Sequence, residues 1–481
     1  MDKSVRKNFI YNLTYQILVL ITPLIVAPYL SRVLGADGVG TYSYIESISS
    51  YFVLFATLGL TIFGQREISY VQEDREKRSV IFWETNVVKW FASLFCIVAY
   101  VAFSLAQRNW QLYLVLVFNL LAVAADISWF FQGLEEFGKI VFRNALFKLL
   151  NIIFIFAVVK SKADLIWYLF STAFFLFANH VTYWIKIKKY VDKPIWRDLK
   201  PLRHLKTIFS LFVPTIAIQI YTVLDKTMIG VITKNAFENG YYEQAMKISK
   251  MVLMIVTSLG TVLIPRIGHY FEKGDMEQVR SYVYKGYRFV WFIGIPLCVT
   301  LTLVSSNFVP WFFGDGYDKV VPLIGLLSLL IIAIGLSNVT GIQYLIPTKR
   351  QNLLTQTVIC GAVTNFVFNC WLINLFQSYG AAIASVIAET VVTVVQIYIV
   401  RKELSAREII RSSSHYLLAG GAMAVTLLLV RGYFAPSVLN TIALSSCGVA
   451  SYCLVLFVIR DKFFFDNIVS LGGKLCKRLF K

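Results

Sequence analysis

Nine ionisable residues stand inside, or at the edge of, apolar runs long enough to cross a bilayer: Arg32, Glu46, Lys89, Asp126, Asp225, Lys226, Lys247, Lys250 and Glu389. An ionisable group in hydrocarbon costs several kcal/mol, about +3 on insertion scales, and persists where it meets water, a partner or a ligand. Lys247 and Lys250 are three apart and share one helix face. With Arg32 and Lys226 they bring four cations to a similar depth, partly neutralised by Asp225 and Glu46. A wet, net positive cavity of that kind suits phosphate or diphosphate, and Lys89 is set with these cations as a substrate-binding candidate. Lys89 and Asp126 lie lower, where a buried ion pair and a proton relay both fit. Asp225, Asp126, Glu389 and Glu46 are the groups whose titration could couple an ion flow. A plainer reading pairs Asp225 with a nearby lysine and lets the other long side chains snorkel; Glu84 and Arg143 are close enough to an inner end to do the same. An amide stripe, Asn119, Gln219, Asn338, Gln343 and Asn365, with Asn179, His180 and Asn369 beside it, could bond sugar hydroxyls or a neighbouring helix.

The elements that must position these groups follow from composition. Of 481 residues, 57% are hydrophobic and only 15% charged, with mean hydropathy +0.66. A soluble protein would carry roughly a quarter charged residues, so a large soluble enzyme is excluded, and disorder needs low hydrophobicity. The net charge of +19 is spread between apolar runs, which excludes a nucleic-acid-binding domain. Fourteen runs between residues 8 and 459 approach the ~20 residues of a spanning helix and lack strand alternation. With the N-terminus inside, 35 of the 46 cations fall on cytoplasmic segments and 7 on the opposite face. This positive-inside bias puts both termini in the cytoplasm. The N-terminus has no small-residue cleavage site and reads as a first helix.

Residues 40–70 and 240–270 align without a gap at an offset of 200. Eight identities result, among them Gly40/Gly240, Thr61/Thr261 and Arg66/Arg266. Six spans separate the copies, so both halves enter the membrane in the same sense. The expected fold is an all-α polytopic membrane protein with about fourteen transmembrane helices. Two six-helix lobes related by an axis along the membrane normal are followed by two C-terminal helices. The domains are residues 1–190, a basic cytoplasmic linker at 191–207, residues 208–402, and 403–481 with the added helices and a basic tail. Pro23, Pro28 and Pro214 mark bends in the first and seventh helices. Trp129, Trp167, Trp184 and Trp311 read as interfacial belt.

GADGVG (35–40) joins two membrane helices and reads as a turn, not a nucleotide loop. No GxSxG occurs, and the four histidines have no ligand spacing. The seven cysteines, Cys476 the only one outside an apolar run, read as fillers. No catalytic residue, metal or cofactor is expected, so energy must come from an ion gradient, the membrane potential or a partner.

Several segments are similar to bacterial polysaccharide flippases of the Wzx type. They are the opening NLTYQILVLITPLIVAPYLSRVLGADGVGTYSY, DISWFFQGLEEFGKIVFRN (126–144), YTVLDKTMIG (221–230), GYYEQAMKISKMVLMIVTSLGTVLIPRI (240–267) and GIQYLIPTKRQN (341–352). The family belongs to the multidrug/oligosaccharidyl-lipid/polysaccharide exporter superfamily. The resemblance implies an undecaprenyl-diphosphate-linked oligosaccharide moved across the bacterial cytoplasmic membrane by ion-coupled alternating access, with a proton as coupling ion. Partners would be a polysaccharide polymerase and a chain-length regulator. It carries over Arg32, Asp126, Asp225, Lys226 and Lys247 as motif residues. Alternatives are a lipid II flippase, a cation-coupled drug exporter and, from another class, a membrane-embedded polymerase or ligase. A drug exporter for cations should have an acidic cavity, and a polymerase a large outer loop; the chain has neither.

Overall fold

The computed structural model describes residues 3–258 and 260–469; the side chains of 3–17, 20, 139, 213–215, 217–218, 220–221, 261–262 and 468–469 lie outside that description. Cys476, the basic residues beyond 469, and the side chains of Pro214 and Thr261 therefore fall outside the described residues. Helix prevails and no strand occurs among the described residues, as expected where backbone groups must be satisfied without water.

The chain falls into two compact units, residues 1–240 and 241–481. The first unit holds α1 (Lys3–Thr57), α2 (Leu60–Tyr70), α3 (Arg75–Leu105), α4 (Trp110–Val115), α5 (Val117–Ala125), α6 (Ser128–Gly133), α7 (Phe137–Val158), α8 (Leu165–Trp184), α9 (Leu205–Thr233) and the start of α10 (Ala236–Thr257). The second holds the rest of α10, α11 (Gly260–Glu272), α12 (Met276–Phe313), α13 (Val320–Asn338), α14 (Gln351–Phe376), α15 (Ser378–Ile399), α16 (Ala406–Arg411), α17 (Ser414–Val430) and α18 (Val438–Val458). Eleven helical segments among the described residues are long and apolar enough to cross a membrane. One of them, Ile21–Tyr70, is divided at Gly35. With α9 and the α10–α11 pair, the fourteen runs of the sequence are accounted for. α9, which the repeat assigns to the second lobe, packs within the first unit against α1 and α2.

α3 shows the rule by which these helices are built. Asp74 caps it through the Lys77 backbone N–H at 3.0 Å. Its outward face carries Phe91, Phe95 and Val98, each more than 60% exposed. Its inward face buries Glu84, Thr85, Asn86, Lys89 and Ser93. Large apolar residues outside and polar ones inside is the pattern of a helix solvated by lipid.

Two breaks in the first unit fall at glycines. Gly35 (φ 70°, ψ 175°) turns the chain within α1, as the glycine-rich segment predicts, while helix continues through Pro23 and Pro28. Gly59 (φ 70°) separates α1 from α2, and a methyl group there would lie 3.3 Å from the Phe212 backbone. Within the first unit, residues 36–40 cross residues 236–240 backbone to backbone. A methyl group on Gly40 would lie 1.7 Å from the Ala236 carbonyl oxygen, and one on Gly240 would lie 2.0 Å from the Ala36 carbonyl oxygen. The contact is reciprocal at the repeat offset of 200, the arrangement a two-fold axis dictates.

Candidate functional site

The fourth apolar run does not form one helix. α5 ends at Ala125 and α6 starts at Ser128, with Asp126 extended between them (φ −69°, ψ 113°). A break inside a spanning segment frees carbonyls that lipid cannot satisfy, so each needs a donor. The Ala122 oxygen is 2.8 Å from His180 Nδ1. Trp90 Nε1 donates to Ala124 at 3.1 Å, and Trp184 Nε1 to Ala125 at 2.7 Å. The Asp126 oxygen accepts from Lys89 Nζ and from Trp129 Nε1. The Asp126 side chain turns back to accept from the Ser128 N–H at 2.8 Å, capping α6. Trp129 is buried against Gly64 of α2, whose missing Cβ leaves room for the indole.

Around this break lies a cavity of about 240 Å³, lined by Glu46, Lys89, Asn119, Asp126, Trp129 and His180. Four of the sequence candidates, Glu46, Lys89, Asn119 and Asp126, thus converge in the first unit. Two details differ from the sequence reading. Glu46 belongs with Lys89 and Asp126, since it shares their cavity. Lys89 Nζ hydrogen-bonds the main-chain oxygen of Asp126, while Asp126 Oδ1 accepts from the Ser128 N–H. His180 Nδ1 is 4.0 Å from Asp126 Oδ1. Trp129 and Trp184, read as belt residues, donate to the broken helix. The signal that could have found them is the combination of an aspartate with tryptophans and a lysine at mid-span.

The remaining candidates are dispersed. Arg32 is exposed on α1 and approaches the Pro28 carbonyl at 3.5 Å. Asp225 is buried on α9, Lys226 half-buried beside it, and Gln219 exposed. Lys247 pairs with Glu243, one turn earlier on α10, at 3.4 Å; Glu243 was missed because it lies before the apolar part of the run. Lys250 is exposed and Glu389 half-buried on α15. Asn338 accepts from Gln343 Nε2 at 3.0 Å where α13 passes into a π turn, Val339–Leu345. Asn365 is fully buried, accepting from Asn369 at 2.9 Å. Gln343 is buried too, with Nε2 donating to Asn338 and Oε1 receiving no donor.

Carboxylates also fasten the polar ends of both units. Glu84 does not snorkel. Its side chain is 1% exposed, and it accepts from Lys200 N at 2.7 Å, Arg203 Nη2 at 2.6 Å and His204 Nε2 at 2.7 Å. It holds the end of the basic linker against α3. In the second unit Glu403 accepts from Arg350 at 2.8 Å and from the Tyr344 hydroxyl. Burial pushes the Glu403 carboxyl up, but these donors outweigh it and hold it below the ordinary carboxylate range.

A helical bundle of this kind is found in solved membrane transporters. The chain superposes on a structure described as lipid II flippase MurJ, inward closed conformation, with TM-score 0.75 and 14% identity over 95% of this chain and 100% of that one. An inward-facing multidrug resistance MATE family transporter of the MOP superfamily matches with TM-score 0.58 and 14% identity, over 82% of this chain and 99% of that one. These likenesses define the fold class, a polytopic helical membrane protein. The family model described as polysaccharide biosynthesis protein matches residues 5–271, and that described as lipid II flippase MurJ matches residues 149–452. A relative named as a candidate O-antigen transporter in Escherichia coli strain K12 is 24% identical over 405 residues, 83% of this chain and 97% of the relative. The chain belongs to the polysaccharide biosynthesis protein family, as a Wzx-type flippase of the multidrug/oligosaccharidyl-lipid/polysaccharide exporter superfamily.

Proposed function

We propose that the chain is a transporter, not an enzyme, that flips undecaprenyl-diphosphate-linked oligosaccharides from the inner to the outer leaflet of a bacterial cytoplasmic membrane, with both termini cytoplasmic. The observation that carries the reading is the broken helix α5–α6. Its freed carbonyls are held by five side-chain donors, and Glu46, Lys89, Asp126 and His180 line a cavity at the break. Discontinuous helices in secondary transporters hold ions and anionic groups at such points. In this reading Asp126 or Glu46 takes up a proton and thereby alters the capping of α6, which couples ion flow to alternating access. Asp225 and Glu389 are the further coupling candidates. Arg32, Lys226, Lys247 and Lys250 supply cations for the diphosphate, and Lys89 is their counterpart at the break. Asn119, Gln219, Asn338, Gln343 and Asn365 are the amide candidates for contact with the glycan.

The test is reconstitution in vesicles with lipid-linked oligosaccharide. Outer-leaflet arrival is read by a membrane-impermeant glycan-modifying reagent, with and without a pH gradient. The gradient should raise the rate in wild type but not in Asp126→Asn or Glu46→Gln. A rate indifferent to the protein overturns the flippase reading; an unchanged gradient dependence in both variants overturns the coupling assignment. A second reading, a lipid II flippase, is favoured by the family match over residues 149–452. Competition between lipid II and a polysaccharide repeat unit in the same vesicles separates the two.

A further inference from the structure

α7 carries a cation that positive-inside counting places in a cytoplasmic segment. Lys148 is eleven residues into α7 and eight past Ile140, where the span begins, which is about 12 Å along the helix at 1.5 Å per residue. It lines a cavity of about 270 Å³ between α7 and α8 with Asn144, Asn151, Thr172, Asn179 and His180. Asn144, Lys148 and Asn151 follow i, i+4, i+7 spacing and so share one face. No carboxylate lines this cavity, so nothing in it balances the lysine.

The amides around Lys148 are only partly used. Asn144 Oδ1 accepts from Asn179 Nδ2 at 2.7 Å and from the Tyr183 hydroxyl at 3.1 Å. The Oδ1 atoms of Asn151 and Asn179 are buried and receive no donor, and Asn179 is only 5% exposed. A buried acceptor without a donor is costly, and so is an intramembrane cation without an anion. The cavity is thus complementary to a group that brings a negative charge and hydroxyl donors together. A diphosphate brings charge but only acceptor oxygens, which would face the two orphaned amide oxygens. A carboxylated sugar brings both.

We infer that the Lys148 cavity is a subsite for an acidic sugar, the carboxylate on Lys148 and the ring hydroxyls donating to Asn151 and Asn179. Its volume is at the small end for ligand pockets and suits one monosaccharide unit. Phe147 and Phe175 supply apolar wall. The cavity adjoins the broken-helix site, since His180 and Leu176 line both. The inference rests on the flippase reading only for the direction in which the sugar then moves.

The experiment uses the full chain in lipid nanodiscs, with methyl glucuronide, methyl glucoside and a short-chain isoprenyl diphosphate as probes. A charge-assisted bond corresponds to roughly tenfold to hundredfold in affinity. Wild type should prefer the glucuronide over the glucoside by about that factor. Lys148→Met should abolish the preference, Lys148→Arg should retain most of it, and diphosphate binding should be unchanged in both. Lys148→Met removes an uncompensated cation, so its melting temperature should equal or exceed wild type, which shows that it folds. Retention of the glucuronide preference in Lys148→Met overturns the proposal, as does loss of diphosphate binding in its place. If wild type moves no lipid-linked glycan in vesicles yet keeps Lys148-dependent glucuronide binding, the flippase reading fails and the subsite stands.

Discussion

Replacing Glu84 by glutamine should release the end of the basic linker from α3. The carboxylate is buried, with one oxygen taken by Lys200 N and the other by Arg203 and His204. Glutamine keeps one acceptor and turns an NH₂ group toward the other set of donors, so one set is lost however the amide sits. Bonds to a charged group contribute about 1.5–3 kcal/mol each. Arg203 is half exposed, so its bonds are weakened by solvent. A cost of about 2–4 kcal/mol follows, which raises the open population of the linker by roughly 30- to 900-fold. Cleavage of a transiently open segment tracks that population when reclosing is fast. Trypsin should therefore cut after Arg203 and Lys206 much faster in Glu84→Gln than in wild type, read by mass spectrometry of the two fragments. Unchanged cleavage at these two sites would refute the clamp.

Other substitutions probe the remaining fastenings. Gly40→Ala and Gly240→Ala each place a methyl group within 2.0 Å of a carbonyl oxygen, and overpacking of about 1–3 kcal/mol should lower the melting temperature in detergent by several degrees. Trp184→Phe removes the donor to the Ala125 carbonyl and should destabilise by about 1–3 kcal/mol, read in the same melt. Glu403 has a folded-state pKa below that of the unfolded chain. Its contribution is therefore complete above the ordinary carboxylate range near 4.3 and is lost as pH falls through the lower folded value; Glu403→Gln should flatten the acid limb of the melting-temperature profile.

The helical architecture was legible because lipid imposes it: a run of about 20 apolar residues has no other way to satisfy its backbone. The turn at Gly35 was legible because a glycine cluster stood between two such runs. The break at Asp126 was not, since a mid-span aspartate fits a buried pair as well as a discontinuity, and only the donors on α3 and α8 distinguish them. Grouping by depth set Lys89 with Asp126 and placed Glu46 elsewhere, whereas all three line one cavity, because depth in sequence says nothing of which way a helix face turns. Lys148 escaped for a related reason: counting cations by segment assigned it to the cytoplasm, although its spacing from Asn144 and Asn151 already marked a helix face. Glu84 reads as a surface residue until the linker that covers it is folded.

The crossing of residues 36–40 with 236–240 has a mechanical consequence. Elsewhere helices interlock, ridge into groove, so turning one against another means repacking side chains. Here main chain meets main chain, with no Cβ on Gly40 or Gly240 to hold the two segments apart. Such a crossing leaves no slack: a single added methyl at either glycine would pry the two stretches of main chain apart.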